Sequence, residues 1–81
     1  MINYHTKDAP MKVLVSDNLG EDGIRMFQDA PGIEVDVNTG LEPDALKAII
    51  AGYDALVIRS ATKVTAELLQ AAPRLKVVGR A

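Results

Sequence analysis

Ala55-Leu56-Val57-Ile58 is an uninterrupted apolar run, and the mostly polar segment Arg59-Ser60-Ala61-Thr62 follows it directly. An apolar side chain at every position is typical of a parallel strand with helices on both faces, because neither face of such a strand contacts water. The polar residues then mark the end of the strand and the beginning of a loop. We therefore predict a central strand over residues 55–58, with the 59–62 loop at its carboxyl end.

Three other segments have the composition of strands. Residues 12–15 (KVLV) and 75–78 (LKVV) are short and rich in β-branched side chains. Residues 33–37 (IEVDV) alternate strictly between apolar and charged side chains, a pattern that buries only one face. That pattern predicts a strand at or near the edge of its sheet.

Helical patterns separate these strands. The first covers residues 20–30, the second covers residues 43–51, and the third begins after Thr65 and ends before Pro73. Thr65 has a side chain suited to the N-cap of that third helix. The apolar side chains predicted to face the sheet are Ile24, Phe27 and Ala30, then Ala45, Leu46, Ile49 and Ile50, then Leu68, Leu69 and Ala72.

The alternation of strands and helices, with short connections, specifies right-handed crossovers and a parallel sheet. We predict a doubly wound α/β fold of the flavodoxin-like kind, β-α-β-α-β-α-β, with strand order 2-1-3-4. This order places the fully apolar strand in the centre and the alternating strand at the edge. We expect residues 11–81 to be a partial, truncated domain, because no helix follows the fourth strand, and residues 1–10 to be a disordered leader or an early start before Met11.

Composition excludes several classes of protein. The chain has 81 residues, with 9 Lys and Arg against 11 Asp and Glu, so it holds at most one small domain. No basic cluster favours nucleic-acid binding, and no apolar run approaches the roughly 20 residues of a membrane span. The absence of cysteine excludes disulfides and cysteine-ligated zinc, and it fits a cytoplasmic protein.

Ligands of open parallel sheets bind beyond the carboxyl ends of the strands. Three segments are predicted to lie there, namely residues 16–18, residues 59–63 and Gly79-Arg80. Arg59 is the leading candidate for a binding residue, because a guanidinium binds a carboxylate or a phosphate through two parallel hydrogen bonds. The edge of the sheet is therefore predicted to hold a small anion.

The same residues have ordinary structural interpretations. Ser60 and Thr62 can donate to an anion, but both are also common turn and cap residues. Arg59 can instead pair with a surface acid such as Asp17 or Glu67. Asp17, followed by Asn and Leu, is typical of a turn former or a cap for the first helix. The residues alone leave both interpretations open.

The chain shows no signature of catalysis or of a bound cofactor. Its single histidine, His5, lies in the predicted leader, and its 6 glycines form neither a dinucleotide-binding loop nor a phosphate-binding loop. We therefore predict no catalytic residue, no metal site and no cofactor-binding residue in this chain.

Three stretches resemble the amino-terminal part of the D-3-phosphoglycerate dehydrogenases, a family of the D-2-hydroxyacid dehydrogenase superfamily. They are residues 12–17 (KVLVSD), 53–65 (YDALVIRSATKVT) and 71–81 (AAPRLKVVGRA). The RSATKVT string is fairly specific within the superfamily, whereas the LKVVGRA ending is shared more widely. The resemblance as a whole covers residues 11–81.

The resemblance implies that the whole protein oxidises 3-phosphoglycerate to 3-phosphohydroxypyruvate with NAD in serine biosynthesis, and that this chain is part of its substrate-binding lobe. It implies that Arg59 and Ser60 contact the anionic substrate, and that Gly79 and Arg80 lie near the cleft between the lobes. The NAD loop and the catalytic Arg, Glu and His of the family have no counterpart here, so we predict that the 81 residues alone are inactive. We expect the full enzyme to be a homo-oligomer.

Two other functions stay open at this point. Another D-2-hydroxyacid dehydrogenase, such as a glyoxylate or hydroxypyruvate reductase, would use the same guanidinium to bind a carboxylate. A non-catalytic signalling module of the receiver kind begins with a similar string of residues. Such a module needs an acidic pair after the first strand and an aspartate at the end of the third strand, where this chain has Arg59 and Ser60.

Overall fold

The computed structural model describes residues 11–80, in which strands and helices alternate from beginning to end. In chain order these elements are β1 (Met11–Val15), α1 (Gly20–Asp29), β2 (Ile33–Val37), α2 (Pro43–Ile50), β3 (Ala55–Ile58), α3 (Ala66–Gln70) and β4 (Val77–Arg80). The leader predicted for residues 1–10 lies outside the described residues.

The strands form one parallel sheet in the order β2-β1-β3-β4, which confirms the predicted fold class and strand order. β3 is buried at every position, as its uninterrupted apolar sequence predicts. β2 lies at the edge, where Ile33 and Val35 are half-buried and the charged Glu34 and Asp36 are exposed. The burial of β3 and the alternating burial of residues 33–36 in β2 therefore follow their sequence patterns, whereas Val37 at the end of β2 is 43% exposed.

Helices cover both faces of the sheet. On one face, Val13, Val15 and Val57 pack with Phe27 of α1. The opposite face holds the larger core cluster, in which side chains of β1 and β3 pack against α2 and α3. Its buried members are Leu14, Leu46, Ile50, Leu56, Ile58, Leu68 and Ala72. This arrangement is the doubly wound architecture, and it leaves the carboxyl ends of the strands open between the two helical layers.

Local features of the sequence explain several element boundaries. The Thr65 hydroxyl accepts a hydrogen bond from the Leu68 amide at 3.1 Å and so caps α3 as predicted. Pro43 occupies the first turn of α2, where its missing N–H has no helical partner to lose. Gly32 has a φ of 76° in the turn that leads into β2, a conformation that glycine adopts without strain.

The predicted position of the fourth strand is wrong by two residues. β4 covers Val77–Arg80 instead of residues 75–78, and Leu75 belongs to the turn after α3, where its amide donates to the Ala72 carbonyl. The partner strand sets this register, because β3 begins at Ala55 and Ala55 pairs with Val77. Gly79 and Arg80 consequently lie within β4, paired with Val57 and Ile58, and do not follow its end.

The predicted inward faces of the helices also need correction. Leu68 is buried in α3, but Leu69 is 48% exposed, because a helix of only 5 residues presents little more than one position to the core. In α2, Leu46 and Ile50 are buried one turn apart, whereas Ala45 is exposed. The buried stripe of each of these helices is therefore narrower than the apolar pattern predicts.

Candidate functional site

The candidate site lies at the carboxyl edge of the sheet, where the turn after β1 meets the loop after β3. β1 and β3 are hydrogen-bonded neighbours, so the segments that follow them are brought together. Residues 16–18 follow β1, and residues 59–62 follow β3. The topology alone therefore unites two of the three segments that the sequence analysis assigned to this edge.

The carboxylate of Asp17 is the centre of this arrangement. It is 4% exposed, and its Oδ2 atom accepts hydrogen bonds from the backbone amides of Arg59 at 2.5 Å and of Thr62 at 3.0 Å. Its Oδ1 atom accepts a third bond, from the Thr62 hydroxyl at 2.6 Å. That hydroxyl also lies 2.9 Å from the Oγ atom of Ser16. The loop after β3 is thus wrapped around one buried carboxylate.

These donors determine the ionisation of Asp17. Burial raises the pKa of a carboxyl group, but the hydrogen bonds from Thr62 and from the backbone of Arg59 and Ala61 outweigh burial, and the pKa of Asp17 is lowered. The group is therefore an anion at neutral pH, held by donors that belong to the chain itself.

The interpretation of Asp17 as a turn former or cap for the first helix is wrong. Leu19 occupies the N-cap position of α1 and makes no side-chain cap bond. The local turn is instead formed by Asn18, whose Oδ1 atom accepts a hydrogen bond from the Gly20 amide at 2.9 Å. Sequence spacing gives no indication of the real partners of Asp17, because Thr62 lies 45 positions along the chain.

Arg59 is exposed at the same edge, and its guanidinium makes one described contact. The Nη1 atom donates to the backbone carbonyl of Asn18 at 3.1 Å. The predicted alternative, pairing with Asp17 or Glu67, is wrong: Asp17 accepts the backbone amide of Arg59, and Glu67 forms an ion pair with Lys47 at 3.5 Å. A guanidinium has five N–H donors, so most of them stay available to a ligand.

The remaining candidates of the 59–63 segment divide into two groups. Ser60 is exposed beside Arg59. Thr62 directs both its amide and its hydroxyl toward Asp17. Thr62 and Lys63 also line a groove of about 480 Å³ on the other side of the loop, together with the first turn of α2. Arg59 and Ser60 are not among the residues that line this groove.

Gly79 and Arg80 occupy the end of β4, next to β3. Arg80 is paired with Ile58, the residue directly before Arg59, and its side chain is exposed. Two arginines of adjacent strands therefore lie at the same edge of the sheet. A contact of Arg59, Ser60, Thr62, Gly79 or Arg80 with substrate stays a prediction.

A second buried carboxylate, which the sequence analysis did not single out, lies at the opposite edge. The Oδ2 atom of Asp54 accepts a hydrogen bond from the Lys12 amide at 2.9 Å, and its carboxylate pairs with Arg74 at 3.3 Å. The bond from Lys12 and the charge of Arg74 lower the pKa of Asp54 against the effect of burial. Its position directly before an apolar strand was visible in the sequence, but neither partner was.

The described residues do not fit a dinucleotide or a metal ion. The turn after β1, where a dinucleotide-binding fold carries its glycine-rich loop, is Ser16-Asp17-Asn18-Leu19-Gly20 and contains a single glycine. Between residues 11 and 80 no group of three or more His, Cys, Asp or Glu side chains is placed to hold a metal. In the same part of the chain, no helix is both long enough and apolar enough to cross a membrane.

Comparisons with known proteins agree with this architecture. Residues 13–81 match the sequence profile of a family described as "D-isomer specific 2-hydroxyacid dehydrogenase, catalytic domain". A D-3-phosphoglycerate dehydrogenase of Archaeoglobus fulgidus is 45% identical over 71 residues, which are 88% of this chain and 13% of that enzyme. A hydroxypyruvate reductase of Thermotoga maritima is 40% identical over 73 residues, which are 90% of this chain and 24% of that enzyme.

A solved structure has the same fold. A protein of Pyrococcus horikoshii OT3 superposes with a TM-score of 0.78 at 26% identity, over 86% of this chain and 20% of that chain. The present chain thus spans a quarter or less of the length of these relatives.

Proposed function

Because the chain belongs to the D-isomer specific 2-hydroxyacid dehydrogenases, we propose that it is the substrate-binding lobe of an NAD-dependent enzyme that oxidises 3-phosphoglycerate to 3-phosphohydroxypyruvate. The family membership confirms the resemblance predicted from residues 12–17, 53–65 and 71–81. It also removes the alternative of a non-catalytic signalling module. The whole protein would serve serine biosynthesis, in the cytoplasm and as a homo-oligomer.

One observation carries this proposal, namely that the Arg59 guanidinium is exposed and is not paired with an acidic side chain. It is exposed at the ligand-binding edge of the sheet and is held by a neutral carbonyl, not by a carboxylate. Its positive charge is therefore not neutralised by a described acid, and it can form two parallel hydrogen bonds with a carboxylate or a phosphate. Ser60 offers a hydroxyl beside it, and Arg80 supplies a second cation on the neighbouring strand.

The role of this lobe is to bind and orient the substrate. Arg59 and Ser60 would hold an anionic group of the substrate so that the carbon bearing the hydroxyl group lies in the cleft between the lobes. NAD, when bound to the whole enzyme, supplies the acceptor for the hydride. Its site belongs to another part of the protein, because the residues described here do not fit it.

A second candidate function is the reduction of hydroxypyruvate or glyoxylate. The 40% identity to the Thermotoga maritima hydroxypyruvate reductase favours it, and so does the ability of Arg59 to bind a carboxylate without a phosphate. The two functions differ in what binds the phosphate. We assign that task to Arg80, because it lies on the strand next to β3 and is paired with Ile58.

A chimera tests the proposal. Residues 13–81 replace the matching segment of the Archaeoglobus fulgidus enzyme, and NADH formation from 3-phosphoglycerate is compared with NADH consumption on hydroxypyruvate and glyoxylate. We expect activity on 3-phosphoglycerate, and a loss of roughly a hundredfold in kcat/KM on Arg59→Ala, since a charged hydrogen-bond donor to the substrate is removed.

Arg25→Ala is the matched control, because Arg25 is an exposed arginine on the outside of α1. A folded chimera that uses only hydroxypyruvate would favour the second candidate. A chimera in which Arg59→Ala is as active as Arg25→Ala would overturn the assignment of Arg59.

A further inference from the structure

We propose that Asp17 is the positioning residue of this site: it fixes the loop after β3 so that Arg59 and Ser60 face the substrate. This inference rests on the proposed function of Arg59 and deepens it. Asp17 belongs to the turn after β1, not to the loop that it holds, and its side chain is buried.

The hydrogen bonds of Asp17 hold both ends of the short segment 59–62. One carboxylate oxygen accepts the amide of Arg59 at 2.5 Å and the amide of Thr62 at 3.0 Å. The other oxygen accepts the hydroxyl of Thr62 at 2.6 Å. Because both ends of the segment are bound to one rigid group, the direction in which Ser60 and the Arg59 side chain leave the loop is restricted.

The same turn also holds the Arg59 side chain. Asn18, the residue after Asp17, accepts a hydrogen bond from the Arg59 guanidinium through its carbonyl, while its own side chain closes the turn onto Gly20. Backbone and guanidinium of Arg59 are therefore held by two consecutive residues. An arginine loses less freedom on binding an anion when it is already ordered, which strengthens the binding.

A negative charge repels an anion bound nearby, but the geometry limits this repulsion. Asp17 is 4% exposed, and each of its oxygens is occupied by donors of the loop. Ser60, which lies between these donors in the loop, is exposed and makes no described hydrogen bond to Asp17. Asp17 therefore fixes the position of the loop through the hydrogen bonds that it accepts and not through its charge.

Two substitutions of Asp17 separate the effect of its hydrogen bonds from the effect of its charge. Asp17→Ala removes every acceptor and leaves two amides without a partner, so it releases the loop. Asp17→Asn keeps an oxygen that can accept both amides, and its NH₂ group can donate to the Thr62 hydroxyl, which can then donate to Ser16. The asparagine variant should therefore rescue the position of the loop although it has no charge.

The experiment is a titration of the 81-residue chain with 3-phosphoglycerate, followed by the backbone amide signals in NMR spectra. We expect the signals of Arg59 and Ser60 to shift in the wild-type chain. Asp17→Ala should weaken binding about tenfold, and Asp17→Asn should restore most of the affinity. Thr62→Val, which removes one of the three bonds and keeps the size of the side chain, should fall between them.

Asp54→Ala is the matched control, because Asp54 is also a buried carboxylate that joins β1 to β3, but at the opposite edge. If Asp54→Ala weakens binding as much as Asp17→Ala does, the effect is general destabilisation and the proposal is overturned. Unchanged affinity in folded Asp17→Ala would overturn it as well.

Hydrogen exchange of the Arg59 and Thr62 amides supplies a readout that needs no ligand. We expect these amides to lose protection in Asp17→Ala but to keep it in Asp54→Ala and Asp17→Asn. Protection that persists in Asp17→Ala overturns the positioning role even if the substrate binds. Absent shifts at Arg59 and Ser60 in the wild-type chain count instead against the proposed function, whatever the exchange data show.

Discussion

Asp17 and Asp54 are the two buried carboxylates of the described chain, and they join β1 to β3 at opposite edges. Asp17 follows β1 and accepts amides from the loop after β3, while Asp54 precedes β3 and accepts the amide of Lys12 in β1. A buried charge is tolerated only where donors surround it, and each of these groups meets that condition. The relative position of the two central strands is thus fixed at both ends by ionised side chains.

The lowered pKa of Asp17 gives stability a defined dependence on pH. A carboxyl group whose pKa is lowered by folding stabilises the native state above its ordinary value of 3.8, and this contribution is lost as the pH falls through the lowered value. We expect Asp17→Asn to be less stable than the wild-type chain at neutral pH, with a difference that shrinks on acidification below 3.8. Urea unfolding at a series of pH values measures it.

Glu34→Gln is the control for this prediction, since Glu34 is an exposed carboxylate on β2. Its stability should follow that of the wild-type chain over the whole series. A constant difference between Asp17→Asn and the wild type, independent of pH, would contradict the stabilising role of the ionised Asp17.

A tyrosine connects the elements across the sheet. Tyr53 lies in the turn between α2 and β3. Its hydroxyl donates to Asp36 of the edge strand β2 at 2.6 Å, and the Lys12 ammonium of β1 lies 5.4 Å from the centre of its ring. One side chain outside the sheet therefore contacts residues of both β1 and β2. This contact ties β2 to the centre of the sheet in addition to its backbone ladder with β1.

Removing this hydroxyl should loosen the edge strand. We expect Tyr53→Phe to lower the free energy of unfolding by about 0.5–1 kcal/mol at pH 7, since one hydrogen bond is lost at a partly exposed position. The bond to Asp36, with burial and the charge of Asp36, raises the pKa of Tyr53 to about 12. Its contribution is therefore present below the ordinary value of 10.0 and is lost as the pH rises through about 12.

Ultraviolet titration of the phenol checks this pKa. The measurement is made in a Tyr4→Phe background, because the chain has 2 tyrosines. Asp36→Asn should return the titration of Tyr53 toward 10.0. An unchanged titration in Asp36→Asn would mean that this hydrogen bond does not form in solution.

The elements that could be predicted from the sequence are those whose pattern depends on their own residues. β2 and β3 have the predicted bounds because alternation and continuous apolarity are local properties. The bounds of β4 depend on where β3 begins, which the composition of residues 75–78 does not encode. The candidate site divides in the same way. The strand order predicts the position of Arg59 at the carboxyl edge, but the inward direction of Thr62 depends on Asp17, which lies in the turn after β1.

At the scale of the whole molecule, the proposed function assigns substrate binding to this chain and the reaction itself to other groups. We expect the purified 81-residue chain to form no NADH from 3-phosphoglycerate, because its described residues neither fit a dinucleotide nor supply a histidine for proton transfer. An absorbance assay with the chimera as positive control measures this. NADH formation by the chain alone would refute the proposal that the reaction requires residues outside this chain.

The free edge of the sheet determines how the isolated chain behaves in solution. Among the described strands β4 has a neighbour on one side only, and its Val77 and Val78 are 51% and 38% exposed. An apolar edge strand with unpaired backbone groups favours pairing with a second chain, so we expect the 81-residue chain to self-associate as its concentration rises.

Val77→Lys should reduce this association, because a charge on an edge strand opposes strand addition. Met26→Lys adds the same charge to the exposed surface of α1 and should not reduce it. Sedimentation velocity over a range of concentrations distinguishes the variants, and a wild-type chain that stays monomeric throughout would show that β4 does not act as an open edge.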